Sequence, residues 1–114
     1  HDNYKRYGEN ENKDYILDFY WLLGCASQGR IDEVNEILNE AQNEDDFFYD
    51  KVQSFKTQIL RMTKISQKID NSDMNDLKNG ESIGEYQSRK LLKSKRFMKE
   101  FDFFNNLEVN EIFN

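Results

Sequence analysis

Side chains that commonly carry out catalysis are scarce in this sequence of 114 residues. The one histidine, His1, stands at the first position, and the one cysteine, Cys25, has no second imidazole to activate it. A nucleophile needs a nearby base, and a zinc site needs several His or Cys ligands. Gly80 and Gly84 lack the lysine spacing of a phosphate-binding loop. We therefore predict that the chain is not an enzyme, with no metal site and no cofactor.

The segment from Asp70 to Glu81 has the length and acidity of a helix–loop–helix calcium loop. Asp70, Ser72 and Glu81 would fill the first, third and twelfth positions of that motif. Met74 offers no oxygen at the fifth position, and Asn75 replaces the glycine required at the sixth. A polar connector is the better interpretation of this segment.

Charges are segregated along the chain, whose net charge is −6. The range 32–50 contains eight acidic residues and no basic one, and the range 89–99 contains six basic residues and no acidic one. The two blocks could attract each other within the fold, join two copies head to tail, serve two different partners, or simply face solvent. The net acidity argues against a general nucleic-acid binder.

The lone cysteine allows no internal disulfide, and we expect Cys25 to be a buried, inert thiol. No apolar run approaches the roughly 18 residues of a membrane span, and Asp14 and Asp18 interrupt the best candidate. Because the chain starts at His1 and not at methionine, a targeting segment could have been removed. An intracellular location and a processed, exported one both stay open.

The most apolar stretch runs from Tyr15 to Ala41. We predict a first helix that is apolar on all sides, and hence buried, then a turn at Gly29 and a second helix. The pair should form an antiparallel helical hairpin on which the rest of the chain packs. The residues expected to face inward from the two helices are Ile16, Leu17, Phe19, Tyr20, Trp21, Leu22, Leu23, Ala26, Val34, Ile37, Leu38 and Ala41.

The segment from Cys25 to Leu38, CASQGRIDEVNEIL, resembles the middle of an ankyrin repeat. In that repeat small residues end the inner helix, a glycine makes the turn, and a Val…Leu-Leu pattern faces inward. Leu22 stands at the leucine of the repeat's Thr-Pro-Leu-His segment, but the other three residues differ, and no second copy follows Ala41. The resemblance implies a lone, degenerate ankyrin-like helix pair, whereas an ordinary hairpin with a small-residue turn would fit equally well.

The remainder of the chain also reads as helical. We predict a polar arm over residues 1–12 and one helical domain over residues 13–114, with Asn12 or Asp14 capping the first helix. An acidic connector follows the hairpin, with Asn43 or Asp45 as the next cap. A third helix, from Phe47 to Ile69, carries an apolar stripe that should pack on the hairpin or on a partner. The residues of this stripe are Phe48, Val52, Phe55, Ile59, Met62, Ile65 and Ile69. A capping box, Ser82 with Glu85, starts a fourth helix that continues to Asn105, before a short terminal helix that folds back.

These features predict an all-α fold, a small bundle of four to five helices built on the N-terminal hairpin. The leading hypothesis is a non-catalytic protein–protein interaction or assembly module, which docks a partner, possibly basic, through the hairpin and the third helix. One alternative is a basic helix that contacts an anionic membrane surface or, less expected, nucleic acid. Another is a structural subunit of a large complex. The candidate partner-binding residues are Trp21, Phe48, Phe55, Arg89, Lys93, Lys95 and Arg96.

Overall fold

The computed structural model describes residues 11–71 and 74–114, and all regular structure in these ranges is helical. The predicted all-α bundle is therefore confirmed. No helix in the described ranges combines the length and the apolar character that crossing a membrane requires. The elements, in chain order, are α1 (Glu11–Ser27), α2 (Ile31–Glu44), α3 (Asp46–Val52), a 3₁₀ turn (Gln53–Phe55), α4 (Lys56–Asp70), α5 (Ile83–Lys93), α6 (Lys95–Asn105) and α7 (Val109–Ile112).

The described part of the chain begins with α1. The predicted arm falls almost wholly on residues 1–10, outside the described ranges, and α1 is described from Glu11. Asn12 and Asp14 therefore lie inside α1, and the prediction that one of them caps it is wrong. Between α2 and α3, Asp45 is the N-cap of α3, because its carboxylate accepts a hydrogen bond from the Phe48 amide at 3.1 Å. The prediction of Asp45 as a cap is thus confirmed.

The turn between α1 and α2 contacts α4. Gly29 adopts φ +73°, a left-handed conformation that favours glycine, and a Cβ there would lie 2.7 Å from the Gln67 main-chain nitrogen. The Ser66 hydroxyl donates a hydrogen bond to the Ser27 carbonyl at 2.7 Å. The turn is thus fixed against the last turns of α4. The predicted inward face of α2 is confirmed, with Val34, Ile37, Leu38 and Ala41 all buried.

The first helix is not buried on all sides, and that prediction is wrong. Leu17, Tyr20 and Trp21 are 59 %, 54 % and 49 % exposed, while Phe19 and Leu22 are fully buried. Helices α2, α4 and α7 contact α1. The apolar spacing of α1 predicts two buried faces, but the helices that pack on α1 do not cover these three side chains.

The third predicted helix is divided, and its second half is the centre of the bundle. A 3₁₀ turn over Gln53–Phe55 separates α3 from α4, although Phe48, Val52, Ile59 and Met62 of the predicted stripe are buried as expected. Helix α4 contacts α1, α2, α5 and α6. The hairpin therefore shares the organising role that the sequence assigned to it alone.

The fourth predicted helix is divided at Ser94. The capping box that starts α5 is confirmed, since the Ser82 hydroxyl accepts from the Glu85 amide and the Glu85 carboxylate accepts from the Ser82 amide. Ser94 has extended backbone angles, and its hydroxyl accepts from the Phe97 amide at 3.1 Å to cap α6. Lys90 and Lys93 share one face of α5 with Tyr86, and in an unbroken helix Phe97 would lie on that face too. Across the break, Phe97 packs in the core while Lys93 is exposed.

The short terminal helix folds back as predicted. Phe113, which follows α7, is fully buried and stacks on Phe48 and Tyr15 at ring-centroid distances of 5.7 and 5.8 Å. It also meets Phe19 edge-on at 5.8 Å. The end of the chain thus completes the aromatic core under α1 and α3.

Candidate functional site

The outer face of α4 carries a row of cations. Arg61, Lys64 and Lys68 recur at i, i+3 and i+7, so they share one side of the helix. That side is opposite to the buried Ile59 and Met62, which face the core. All three cations are therefore directed away from the interior.

The two helices after the loop supply a second row. Arg89, Lys93 and Arg96 recur at i, i+4 and i+7 across the break at Ser94, and Lys90 lies beside them. Helix α4 contacts both α5 and α6. The fold thus places the second row alongside the cations of α4.

Together the two rows line one groove of about 690 Å³. We call it the basic groove. Ile65 and Ile69 of α4, both half-buried, give it an apolar floor. Asp76, from the preceding loop, is the acidic side chain among its lining residues. The seven cations of the lining are Arg61, Lys64, Lys68, Arg89, Lys90, Lys93 and Arg96.

Carboxylates of the loop before α5 bind one edge of the groove. The Arg89 guanidinium donates from Nε and Nη2 to the two oxygens of Glu81, at 2.9 and 3.0 Å. The same Nη2 donates to the Asp76 carbonyl at 2.9 Å, and the Lys90 ammonium donates to the Asp76 carboxylate at 3.0 Å. Bidentate arginine–carboxylate pairs of this kind are geometrically specific. The loop is thereby attached to α5.

These contacts change the acidity of both carboxyl groups. Hydrogen bonds from the Tyr86 hydroxyl and then from Lys90 lower the pKa of Asp76 to about 2. Hydrogen bonds from Arg89 and then from the Lys78 amide lower the pKa of Glu81 to about 2. The buried Tyr86 ring also lies beneath the Arg89 and Lys90 cations, at 5.2 and 5.6 Å. Both carboxylates are therefore ionised at neutral pH and bound to cations.

A third carboxylate binds the far end of the groove. One Arg61 nitrogen lies 3.2 Å from each oxygen of Glu100, whose side chain is only 7 % exposed. A buried carboxylate left without its cation is costly, so Arg61 is held in place by this pair. It joins α4 to α6.

Four cations of the groove stand apart from these pairs. Lys64, Lys68, Lys93 and Arg96 are exposed, and within residues 11–71 and 74–114 none of them forms an ion pair. They lie on both walls, two on α4 and one each on α5 and α6. Their charges are available to an anionic ligand.

The candidate residues predicted from the sequence lie in the basic groove, on the surface outside it, or in the interior. Arg89, Lys93 and Arg96 meet in the basic groove, whereas Lys95 is exposed on α6 outside its lining. Trp21 is half exposed on α1, away from the groove.

The other two aromatic candidates belong to the interior. Phe48 is fully buried and offers no surface to a partner, so the prediction that it is a docking residue is wrong. Phe55 is half-buried and packs against Phe19, Phe103 and Phe104 at centroid distances of 6.1 to 6.3 Å. The stripe that suggested a docking face is the core side of α3 and α4.

The residues predicted from the sequence do not include Arg61, Lys64, Lys68 or Lys90. A signal for the first three was present, because their spacing places three cations on one helix face. What the sequence lacked was the pairing of α4 with α5 and α6. The ion pairs found for the basic block run to Asp76 and Glu81, which lie outside the acidic block of residues 32–50.

Cys25 lies away from the groove and is only 2 % exposed. Burial, followed by the nearby Glu33 carboxylate at 3.6 Å, raises the pKa of its thiol to about 11. The thiol form therefore dominates at neutral pH, as expected for a structural cysteine.

Comparison of this chain with protein-family models, with curated proteins and with solved structures finds no match. The ankyrin-like character of the α1–α2 pair stays a prediction from the sequence.

Proposed function

We propose that this protein is a non-catalytic interaction module that docks an acidic segment of a partner protein in the basic groove. The observation that carries the proposal is the convergence of seven cations from α4, α5 and α6 on one groove, in a chain whose net charge is −6. A local basic surface on an acidic molecule favours the binding of anions at that place.

The groove already binds carboxylates of its own chain, which favours a polypeptide ligand. Arg89, Lys90 and Arg61 each hold an aspartate or glutamate, at 2.9 to 3.2 Å. Lys64 and Lys93, which form no ion pair within the described part of the chain, present the same chemistry at the next positions along the groove. The apolar floor would receive an aliphatic side chain of the same segment.

The alternative of a membrane or nucleic-acid contact fits this geometry less well. Membrane surfaces and nucleic-acid duplexes bind exposed basic faces of proteins. Their negative charge would repel the acidic remainder of this chain. Here the cations line a recess between helices. An acidic helix or extended segment can enter a recess of that kind, as in helix-in-groove recognition.

Binding of a fluorescent helical peptide with glutamates repeated every four residues tests the proposal. Fluorescence anisotropy should show saturable binding that weakens as salt rises, because screening shortens the range of exposed charges to roughly 3 Å at 1 M. The variant Lys64→Glu/Lys68→Glu should weaken binding at least ~10-fold, since each exposed ion pair is worth up to about 1 kcal/mol and reversal adds repulsion.

The matched control is Lys95→Glu/Lys99→Glu, which changes the same charge at the same i, i+4 spacing on α6, outside the groove lining. It should bind the peptide nearly as the natural chain does. Equal losses in the two variants would contradict the proposal. So would tighter binding of anionic vesicles or RNA than of the peptide, which would favour the alternative class of partner.

A further inference from the structure

The chain carries, on another helix, a surface that matches the ligand expected for the groove. On α2 the side chains of Val34, Ile37 and Leu38 are buried, and Asp32 and Glu36 lie on the opposite face, exposed. Four residues separate the two acids, which is about 6 Å along a helix axis. The outer face of α2 is thus an acidic helical surface, which is the partner chemistry proposed above.

The spacing of these acids equals that of the cations in the groove. Lys64 and Lys68 on α4, which stand apart from the ion pairs described above, are also four residues apart. A helix laid along the groove would therefore bring successive carboxylates level with successive cations. A like repeat on both surfaces favours a specific register over diffuse attraction.

The two surfaces cannot meet within one molecule. Helix α2 packs on α4. Asp32 and Glu36 lie opposite the buried residues of α2, and Lys64 and Lys68 lie opposite those of α4. Asp32 and Glu36 are therefore directed away from Lys64 and Lys68 of the same copy. Their complementary surface has to come from a second molecule.

We infer that the basic groove of one copy takes the α2 helix of a second copy of this chain. The inference rests on the proposed function, because it names the acidic segment that the groove binds. The contact joins two different surfaces, so it either closes reciprocally into a dimer or continues head to tail. Exposed ion pairs dominate it, so the association is weak and sensitive to salt.

Sedimentation velocity on the full chain tests the inference. The natural chain should show a sedimentation coefficient that rises with concentration between about 10 µM and about 1 mM at low salt, the range in which weak complexes form. At about 0.5 M salt the rise should vanish. Lys64→Glu/Lys68→Glu alone, or Asp32→Lys/Glu36→Lys alone, should stay monomeric, because each places like charges on the two contacting surfaces.

An equimolar mixture of these two variants should associate again, since every groove then meets an α2 of opposite charge. Lys95→Glu/Lys99→Glu should associate like the natural chain, and circular dichroism should show that all variants stay helical. A mixture that remains monomeric overturns the inference, as does loss of association in the control. A natural chain that is monomeric throughout but still binds the glutamate-repeat peptide also overturns it, and leaves the proposed function standing.

Discussion

The Ser66 hydroxyl donates a hydrogen bond to the Ser27 carbonyl across 2.7 Å, and this bond joins the end of α1 to the second half of α4. Two residues after Ser27, Gly29 packs directly on the Gln67 backbone. Helix α4 faces the hairpin through this contact and the groove through its cations. The hairpin turn therefore helps to position the wall on which Lys64 and Lys68 stand.

Substitution of three glycines separates strain from crowding. Gly80→Ala should cost about 1 kcal/mol of unfolding free energy, because φ is +82° there but no atom lies within 4 Å of the added Cβ. Gly29→Ala should cost clearly more, because its Cβ also meets Gln67 at 2.7 Å. Gly24→Ala, in open space inside α1, should gain about 0.5–1 kcal/mol. Urea unfolding of the three variants measures all three effects, and equal costs at Gly29 and Gly80 would show that the turn does not press on α4.

The terminal segment should be essential to the core. Phe113→Ala removes a fully buried ring from its stack on Phe48 and should cost about 3–5 kcal/mol of unfolding free energy. Leu92→Ala, at a side chain 66 % exposed, should change it by less than about 0.5 kcal/mol. Chemical denaturation compares the two. A small loss for Phe113→Ala would mean that α7 does not close the core.

How much of this fold could be predicted from the sequence depended on how local the signal was. The inward face of α2 and the Ser82–Glu85 capping box follow from spacing within a single helix, and both are confirmed. The exposure of Trp21 could not be predicted, because it depends on which helices cover α1. The break at Ser94 was missed because the serine cap competes with a helix-forming sequence that continues on both sides of it.

The candidate site was predictable in its parts but not as a whole. The row of Arg89, Lys93 and Arg96 was recognised, and that of Arg61, Lys64 and Lys68 shows the same kind of periodicity. A groove, however, exists only where two helices place such rows side by side, which is a property of tertiary packing. The prediction of Phe48 as a docking residue is wrong because the sequence pattern of an apolar stripe is the same whether the stripe faces the core or a partner.

The ion pairs of the loop should make stability depend on pH. Asp76 and Glu81 have pKa values of about 2 in the fold, below the ordinary 3.8 and 4.5. A lowered pKa means that the stabilisation is complete above about pH 4.5 and is lost as the pH falls toward 2. Urea unfolding between pH 7 and pH 2 should show this loss, and the loss should be smaller in Glu81→Gln. An unchanged pH dependence in that variant would contradict the Arg89–Glu81 pair.

The thiol of Cys25 should be nearly inert in the folded protein. It is buried and has a pKa of about 11, so little thiolate is present at pH 8 and access is blocked. A chromogenic disulfide reagent should react slowly with the native chain and fast in concentrated urea. Reaction of the native chain at the unfolded rate would show that the α1–α2 region opens readily.

The groove itself is tested most directly by a nuclear magnetic resonance titration of the ¹⁵N-labelled chain with the glutamate-repeat peptide. The amide shift changes should be largest around Lys64, Lys68, Lys93 and Arg96, and should disappear at high salt. Changes centred instead on the exposed face of α1, at Leu17 and Trp21, or no change at all, would contradict a basic groove that binds acidic polypeptide.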